Sequence, residues 1–230
     1  MIQLNDVSHH IQTADDHLSI LHNINLTIEA GQSLAITGSS GSGKTTLLGM
    51  LAGLETPTNG EIIVDEAVLT SMNEDQRALF RANNVGFIFQ SFHLLDGLTA
   101  LENVLLPLEL AGAEASEAEA VHFLQQVGLS HRLTHYPSQL SGGEQQRVAI
   151  ARAFAAKPRY LFADEPTGNL DQNTGATIID LLFAMNRQLN TTLILVTHEP
   201  RLASFCQRHC QIENGHLTEL AVTSPGATDV

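Results

Sequence analysis

Tryptophan is missing from this 230-residue chain, and tyrosine and cysteine occur only twice each. Two cysteines make no disulfide framework. Cys206 and Cys210 bracket His209, but no second ligand pair stands nearby, so two reduced thiols on or near a helix are expected rather than a metal clip. Positive charge is also scarce: 11 Lys plus Arg face 25 Asp plus Glu, a net charge of −14. That excludes the basic face which broad nucleic-acid binding needs. No apolar run approaches the roughly 20 residues of a membrane-crossing helix. The N-terminus carries Asp6, Asp15 and Asp16 and lacks the apolar core of a secretory leader. A cytosolic chain without membrane insertion, of one domain with a lobe or two small domains, is expected.

Glycine and small hydroxyl residues are present where they count. Gly38-Ser39-Ser40-Gly41-Ser42-Gly43-Lys44-Thr45 fits the phosphate-cradling pattern G-x-x-x-x-G-K-[ST]. Glycines at 38, 41 and 43 let the backbone curl so that successive N–H groups face phosphate oxygens. Lys44 then reaches the β- and γ-phosphates, and the Thr45 hydroxyl is a Mg²⁺ ligand. The apolar run Ser33–Thr37 reads as a buried parallel strand, and Thr46 onward reads as a helix, which places the phosphates at a helix N-terminus.

Along the chain, Ile2 to Val7 and the alternation of Ile24, Leu26 and Ile28 predict strands of an antiparallel layer, with Thr13 to His17 a polar turn. Gly53 reads as a helix C-cap, Glu61 to Asp65 as a strand, Asn73 to Ala82 as a helix and Val85 to Gln90 as a strand ending on a polar residue. From Ser91 the pattern is helical. Thr99-Ala100-Leu101-Glu102 and Ser116-Glu117-Ala118-Glu119 are capping boxes. The first opens a helix kinked or ended near Pro107, and the second a helix closing at Gly128. A third helix runs from Ser141 to Ala156. Tyr160–Ala163 and Thr192–Thr197 read as buried strands, Thr174 to Leu189 as an amphipathic helix, and Ile212 to Leu217 as a short strand or turn. The expected fold class is α/β, a P-loop nucleotide-binding domain with an antiparallel β-layer and an inserted all-helical lobe. Residues 1–90 and 159–222 form the core, 91–158 the lobe and 223–230 a flexible tail.

Two further motifs bear on chemistry. Asp164 and Glu165 end an apolar strand. In a P-loop protein an Asp there holds the Mg²⁺ shell, and an adjacent Glu polarises an attacking water as general base. Leu140-Ser141-Gly142-Gly143-Glu144-Gln145-Gln146-Arg147 opens a helix with a serine and two glycines, a second anion-ready helix end. Read alone, an ordinary N-cap serves equally well.

The order of these strings resembles the ABC-type ATPases over residues 1–220. Leu140–Arg147 looks like that family's signature sequence, Gln90 like its Q-loop, Asn169-Leu170-Asp171 like its D-loop and His198 like its switch histidine. Asp164 to Asp171, Gly97 to Val104 and Ile194 to His198 are similar to the LolD/MacB/FtsE branch. The resemblance implies an ATPase that closes as a homodimer on two ATP molecules. The P-loop, with Thr46 at its end, holds one triphosphate. Ser141, Gly142 and Gly143 of the other copy contact its γ-phosphate. Gln90 joins Thr45 and Asp164 at Mg²⁺, Glu165 positions water, His198 contacts the γ-phosphate, and Asp171 communicates across the dimer. It also implies an integral-membrane permease partner docked beside Gln90 at the cytoplasmic face of the inner membrane, one that extracts or extrudes lipid-attached or hydrophobic cargo. The alternative is an FtsE-like regulator that switches a cell-wall or periplasmic enzyme through its membrane partner. A soluble role on DNA or in translation fits neither the single cassette nor the charge.

The chain departs from this family in two places. The usual adenine-stacking aromatic is replaced by Ile11, preceded by His9 and His10, and Glu199 follows His198 where Asp is commoner.

Overall fold

The computed structural model describes residues 1–12, 17–110 and 117–220. Thr13 to Asp16 in the expected turn, Ser116 of the second capping box and the 223–230 tail lie outside them. Two compact units divide the chain, residues 1–77 with 192 onward and residues 78–191.

The first unit holds an antiparallel sheet in the order β2-β1-β4-β5. Its strands are β1 (Ile2–Gln12), β2 (His17–Ile28), β4 (Asn59–Val64) and β5 (Ala67–Val68). Ile2 pairs with Ile28 and Leu4 with Leu26, so the alternating apolar residues of both strands share one buried face. A bulge follows Leu4, with Asp6 at φ 49 and its N–H donating to Asn25 Oδ1 at 3.0 Å. Beside this layer β3 (Ser33–Thr37) runs parallel to both β8 (Thr192–Thr197) and β9 (Arg208–Glu213). Buried on both faces, β3 carries Leu34, Ala35 and Ile36 with no exposed surface, as a central parallel strand requires. Helix α1 (Lys44–Leu51) follows β3 and ends at Ala52, with Gly53 at φ 71 just beyond, the glycine stop read from the sequence.

The stretch expected as one short strand or turn at Ile212–Leu217 is a hairpin: β9 turns through Asn214 (φ 48) and Gly215 (φ 76) into β10 (His216–Leu220). Positive φ at both central residues is what an Asn-Gly turn between twisted strands supplies.

Helix α2 (Glu74–Asn84) buries none of its residues. Asn73 caps it reciprocally with Gln76, at 2.9 and 3.0 Å. In the second unit β6 (Val85–Ile88) pairs parallel with β7 (Tyr160–Asp164). Helices α3 (Ala100–Leu110), α4 (Glu117–Gln126) and α5 (Gly142–Ala155) pack on one another around Val104, Leu124 and Val148. The Thr99 box is present: Thr99 N–H and Oγ1 each donate to Glu102 Oε2 at 2.7 Å. Pro107 does not end α3, which continues to Leu110. The ring sits in the last turn, and Leu108 beyond it is buried, so packing outweighs one lost backbone bond. Helix α6 (Gln172–Leu189) closes on Asn190 in the left-handed region at φ 50. The short α7 (Pro200–Ala203), with proline at its start, had no counterpart in the sequence reading.

Candidate nucleotide site

In the first unit the Gly-rich loop leaves the end of β3. A Cβ on Gly38 would stand 2.4 Å from Ile212 O and 2.7 Å from Ser42 Oγ, so no side chain fits there. Gly41 (φ 78) and Gly43 (φ 100) supply the two left-handed residues of the curl. Gly43 is the N-cap of α1, and no side chain caps that helix end. Its first N–H groups lack intrahelical acceptors by construction. Lys44 is 8% exposed, and its Nζ donates to Gly38 O at 2.9 Å and Ser39 O at 2.8 Å, folding the ammonium over the loop. Ser42 Oγ is buried without a hydrogen-bond partner. Ser39, Ser40 and Thr45 are exposed, and Thr46 is half-buried. A tight cradle of backbone donors with one ammonium and exposed hydroxyls fits a polyphosphate with its divalent cation.

Exposed His198 follows β8, whose Thr197 pairs with Thr37 of β3, so His198 and Gly38 are the next residues on two adjacent parallel strands. Crevices outside such strand ends are where open α/β sheets bind ligands. Ile11 is 44% exposed, and no tyrosine or tryptophan precedes Tyr136. Imidazoles gather nearby instead: His22 stacks on His216 at 4.8 Å, with His10 edge-on to His22 at 6.5 Å. The His209 ring faces Thr37 Oγ1 at 2.7 Å, and burial holds its pKa below the usual imidazole value. Cys206 and Cys210 are free and buried, and burial pushes their thiols up to about 12 and about 11. They are inert protonated thiols; Cys210 lies on a strand, and Cys206 follows α7. Among the described residues no group of three or more His, Cys, Asp or Glu could hold a metal ion.

In the second unit β6 and β7 position a separate set of candidate residues. Ile88 pairs with Ala163, so Gln90 and Glu165 each stand two positions past a paired residue. Asp164 and Glu165 are half-buried, and Gln90 is exposed. Glu165 adopts φ 46, an unusual conformation for a glutamate and one that tends to mark functional sites. Its carbonyl accepts from Gly168 N–H at 3.0 Å, and the turn brings Asn169 Nδ2 to Gln90 O at 2.8 Å. The sequence motifs named Gln90 and Asn169 separately; the structure joins them.

Ser141 is the N-cap of α5 and makes a full capping box. Its N–H and Oγ donate to Glu144 Oε2 at 2.9 Å each, and Glu144 N–H donates to Ser141 Oγ at 3.3 Å. The Ser141 backbone N–H holds the Glu144 carboxyl down at about 2, helped by its hydroxyl and by Arg132, whose Nε donates at 2.8 Å. Asp171 caps α6 through Asn173 and Thr174 N–H at 3.1 Å, and bonds to Thr174 and Asn173 lower its pKa. Gly143 meets α6 so closely that a Cβ would lie 2.6 Å from Thr174 Cγ2. The two helix N-termini thus flank an open concavity of about 470 Å³ that Arg147 also lines. Arg147 Nε is buried without a partner, and Gln146 Nε2 donates to Pro166 O at 2.6 Å, tying α5 to the loop after Glu165. Sequence reasoning took Arg147 only as the end of a motif and passed over Arg152. The available signal was an arginine among the buried residues Val148 to Ala151 and Ala153 to Ala155.

Known proteins resemble this chain in sequence and in fold. The ABC transporter family matches residues 21–168. The chain is similar to YbbA of Escherichia coli (strain K12), an ABC transporter ATP-binding protein, at 49% identity over 96% of this chain and 98% of that one. It is similar to the lipoprotein-releasing system ATP-binding protein LolD of Psychrobacter arcticus at 48% identity over 86% and 88%. Among solved structures it matches the ATP-binding cassette MJ0796, a dimer in a post-hydrolysis state bound to ADP and Pi. The TM-score is 0.90 at 37% identity, over 96% of this chain and 99% of that one.

Proposed function

The chain belongs to the ABC transporter family as an ATP-hydrolysing subunit of the LolD/YbbA type, and from that premise we propose how its residues act and what it drives. Two copies close head to tail on two ATP molecules. The loop from Gly38 to Thr46 wraps the phosphates of one, and Ser141, Gly142 and Gly143 of the partner copy present the second helix end to the γ-phosphate. Thr45, Gln90 and Asp164 hold Mg²⁺, which supplies charge neutralisation on the phosphate oxygens. Glu165 takes the general-base role toward water, and His198 meets the γ-phosphate. Asp171 both caps α6 and faces the other copy.

The observation that carries this reading is the pair of anion-ready helix ends in one chain. One is capped by no side chain above a lysine-held glycine cradle, and the other is a serine-capped tip beside a concavity. A ligand gripped by both copies favours the closed state by its differential affinity, and cleavage removes that difference.

The partner we propose is an integral-membrane permease of the MacB or LolCDE kind, docked beside Gln90 at the cytoplasmic face of the inner membrane and moving lipid-attached or hydrophobic cargo. In support, LolD is named for lipoprotein release, and no helix among the described residues is long and apolar enough to cross a membrane. Purified protein should hydrolyse ATP only with Mg²⁺, and both EDTA and Lys44→Ala should abolish turnover. Undiminished hydrolysis by Lys44→Ala would defeat the assignment.

A further inference from the structure

The segment just after Gln90 is braced at every carbonyl. Phe89 O accepts from Phe92 N–H at 3.2 Å, and Ser91 O from His93 N–H at 2.6 Å. Gln90 O accepts from Asn169 at 2.8 Å. Phe92 O and His93 O both accept from Arg152 of α5, through Nη2 at 2.9 Å and Nη1 at 2.5 Å. Phe92 (φ 62) and His93 (φ 49) both lie in the left-handed region, which bulky residues enter only when surroundings force them. The Phe92 ring reaches the other end of the same helix: a Cβ on Gly142 would lie 3.8 Å from Phe92 Cζ. One helix therefore grips this turn by a guanidinium fork on its carbonyls, and its glycine tip lies close to the ring, with room for about one side-chain carbon between them.

We propose that Arg152 and Phe92 form a latch, a pair of positioning residues that makes the Gln90 segment and the Ser141-led tip of α5 shift together within one subunit. It rests on the reading that Gln90 and Ser141 both act at nucleotide. A displacement of the Gln90 turn, as when a partner binds beside it, is passed to the helix tip through the two carbonyls and the ring. Neither residue touches the reacting atoms. Arginine suits the role because its rigid planar fork gives each carbonyl its own nitrogen, whereas a lysine would have to serve both from one freely rotating ammonium.

The test is a double-mutant cycle on ATP hydrolysis by the purified chain. Arg152→Lys should lower kcat about tenfold with KM for ATP within about twofold, the mark of misplacement rather than lost binding. Combined with Gln90→Ala it should be no slower than Gln90→Ala alone, because both changes break one unit. Phe92→Gly keeps the left-handed turn available and removes only the ring. It should retain a cooperative thermal transition yet lose kcat as Arg152→Lys does, and it decides the matter should Arg152→Lys not fold. Multiplying losses in the cycle, or a parental kcat in Phe92→Gly, would overturn the latch and leave the Gln90 reading standing. A full rate in Gln90→Ala would overturn that reading and the latch with it.

Discussion

Among the glycines of the loop, Gly38 has the least room for a side chain. The Cβ of Gly38→Ala would meet the backbone carbonyl of Ile212 at 2.4 Å, and backbone cannot swing aside as a flexible side chain can. Titration calorimetry should show ATP affinity lost by at least about a hundredfold, the scale of a misplaced contact set, with the hairpin perturbed as well. Glu144 gives a pH signature. Its folded pKa of about 2 lies below the ordinary 4.5, so its capping box stabilises fully above 4.5 and fades as pH falls toward 2. Glu144→Gln should therefore melt lower than the parent at pH 7, and the gap should shrink below pH 4.5 and close near pH 2. A gap independent of pH would contradict the charge-assisted cap. At this scale the glycine turns of the loop, the Lys44 contacts on it and the Ser141 cap were legible because such local geometry needs fixed residue types at fixed spacing. Arg152 was not, because an arginine's acceptors here, Phe92 O and His93 O, lie 60 and 59 residues away in the chain.

Among the elements, the starts of two helices were legible. Thr99 and Ser141 cap α3 and α5 as their strings suggested, and Asn73, read as the first helical residue, caps α2, since capping is local and the bonding partners sit three residues away. Asp171 caps α6 by the same physics. Asp171→Ala should cost about 1 kcal/mol, seen without nucleotide as a thermal midpoint about 2–4 °C lower. What the sequence obscured depends on distant partners. The choice left open between a kink and an end at Pro107 is decided by the packing of Leu108, and β9 hides in a polar run, Arg208-His209-Cys210-Gln211, whose strand character comes from lying beside β3. The Asn214-Gly215 turn was a signal present and unread.

For the whole molecule, neither helix end alone accounts for an ATP-driven machine; the account needs two copies. An excess of 14 negative charges makes each copy repel the other at long range, and the proposed closure on nucleotide should tighten as salt screens that repulsion. Isolation from detergent-solubilised membranes should also recover the membrane partner. A large multi-span permease supports cargo extraction, and a small four-span protein supports the regulatory alternative.

The most direct test of the two-copy site is sedimentation equilibrium of Glu165→Gln at saturating ATP and Mg²⁺. The account predicts a dimer at twice the mass of one chain, returning to monomer when Ser141→Arg is added. A monomer in Glu165→Gln under those conditions, or a dimer indifferent to Ser141→Arg, would contradict it.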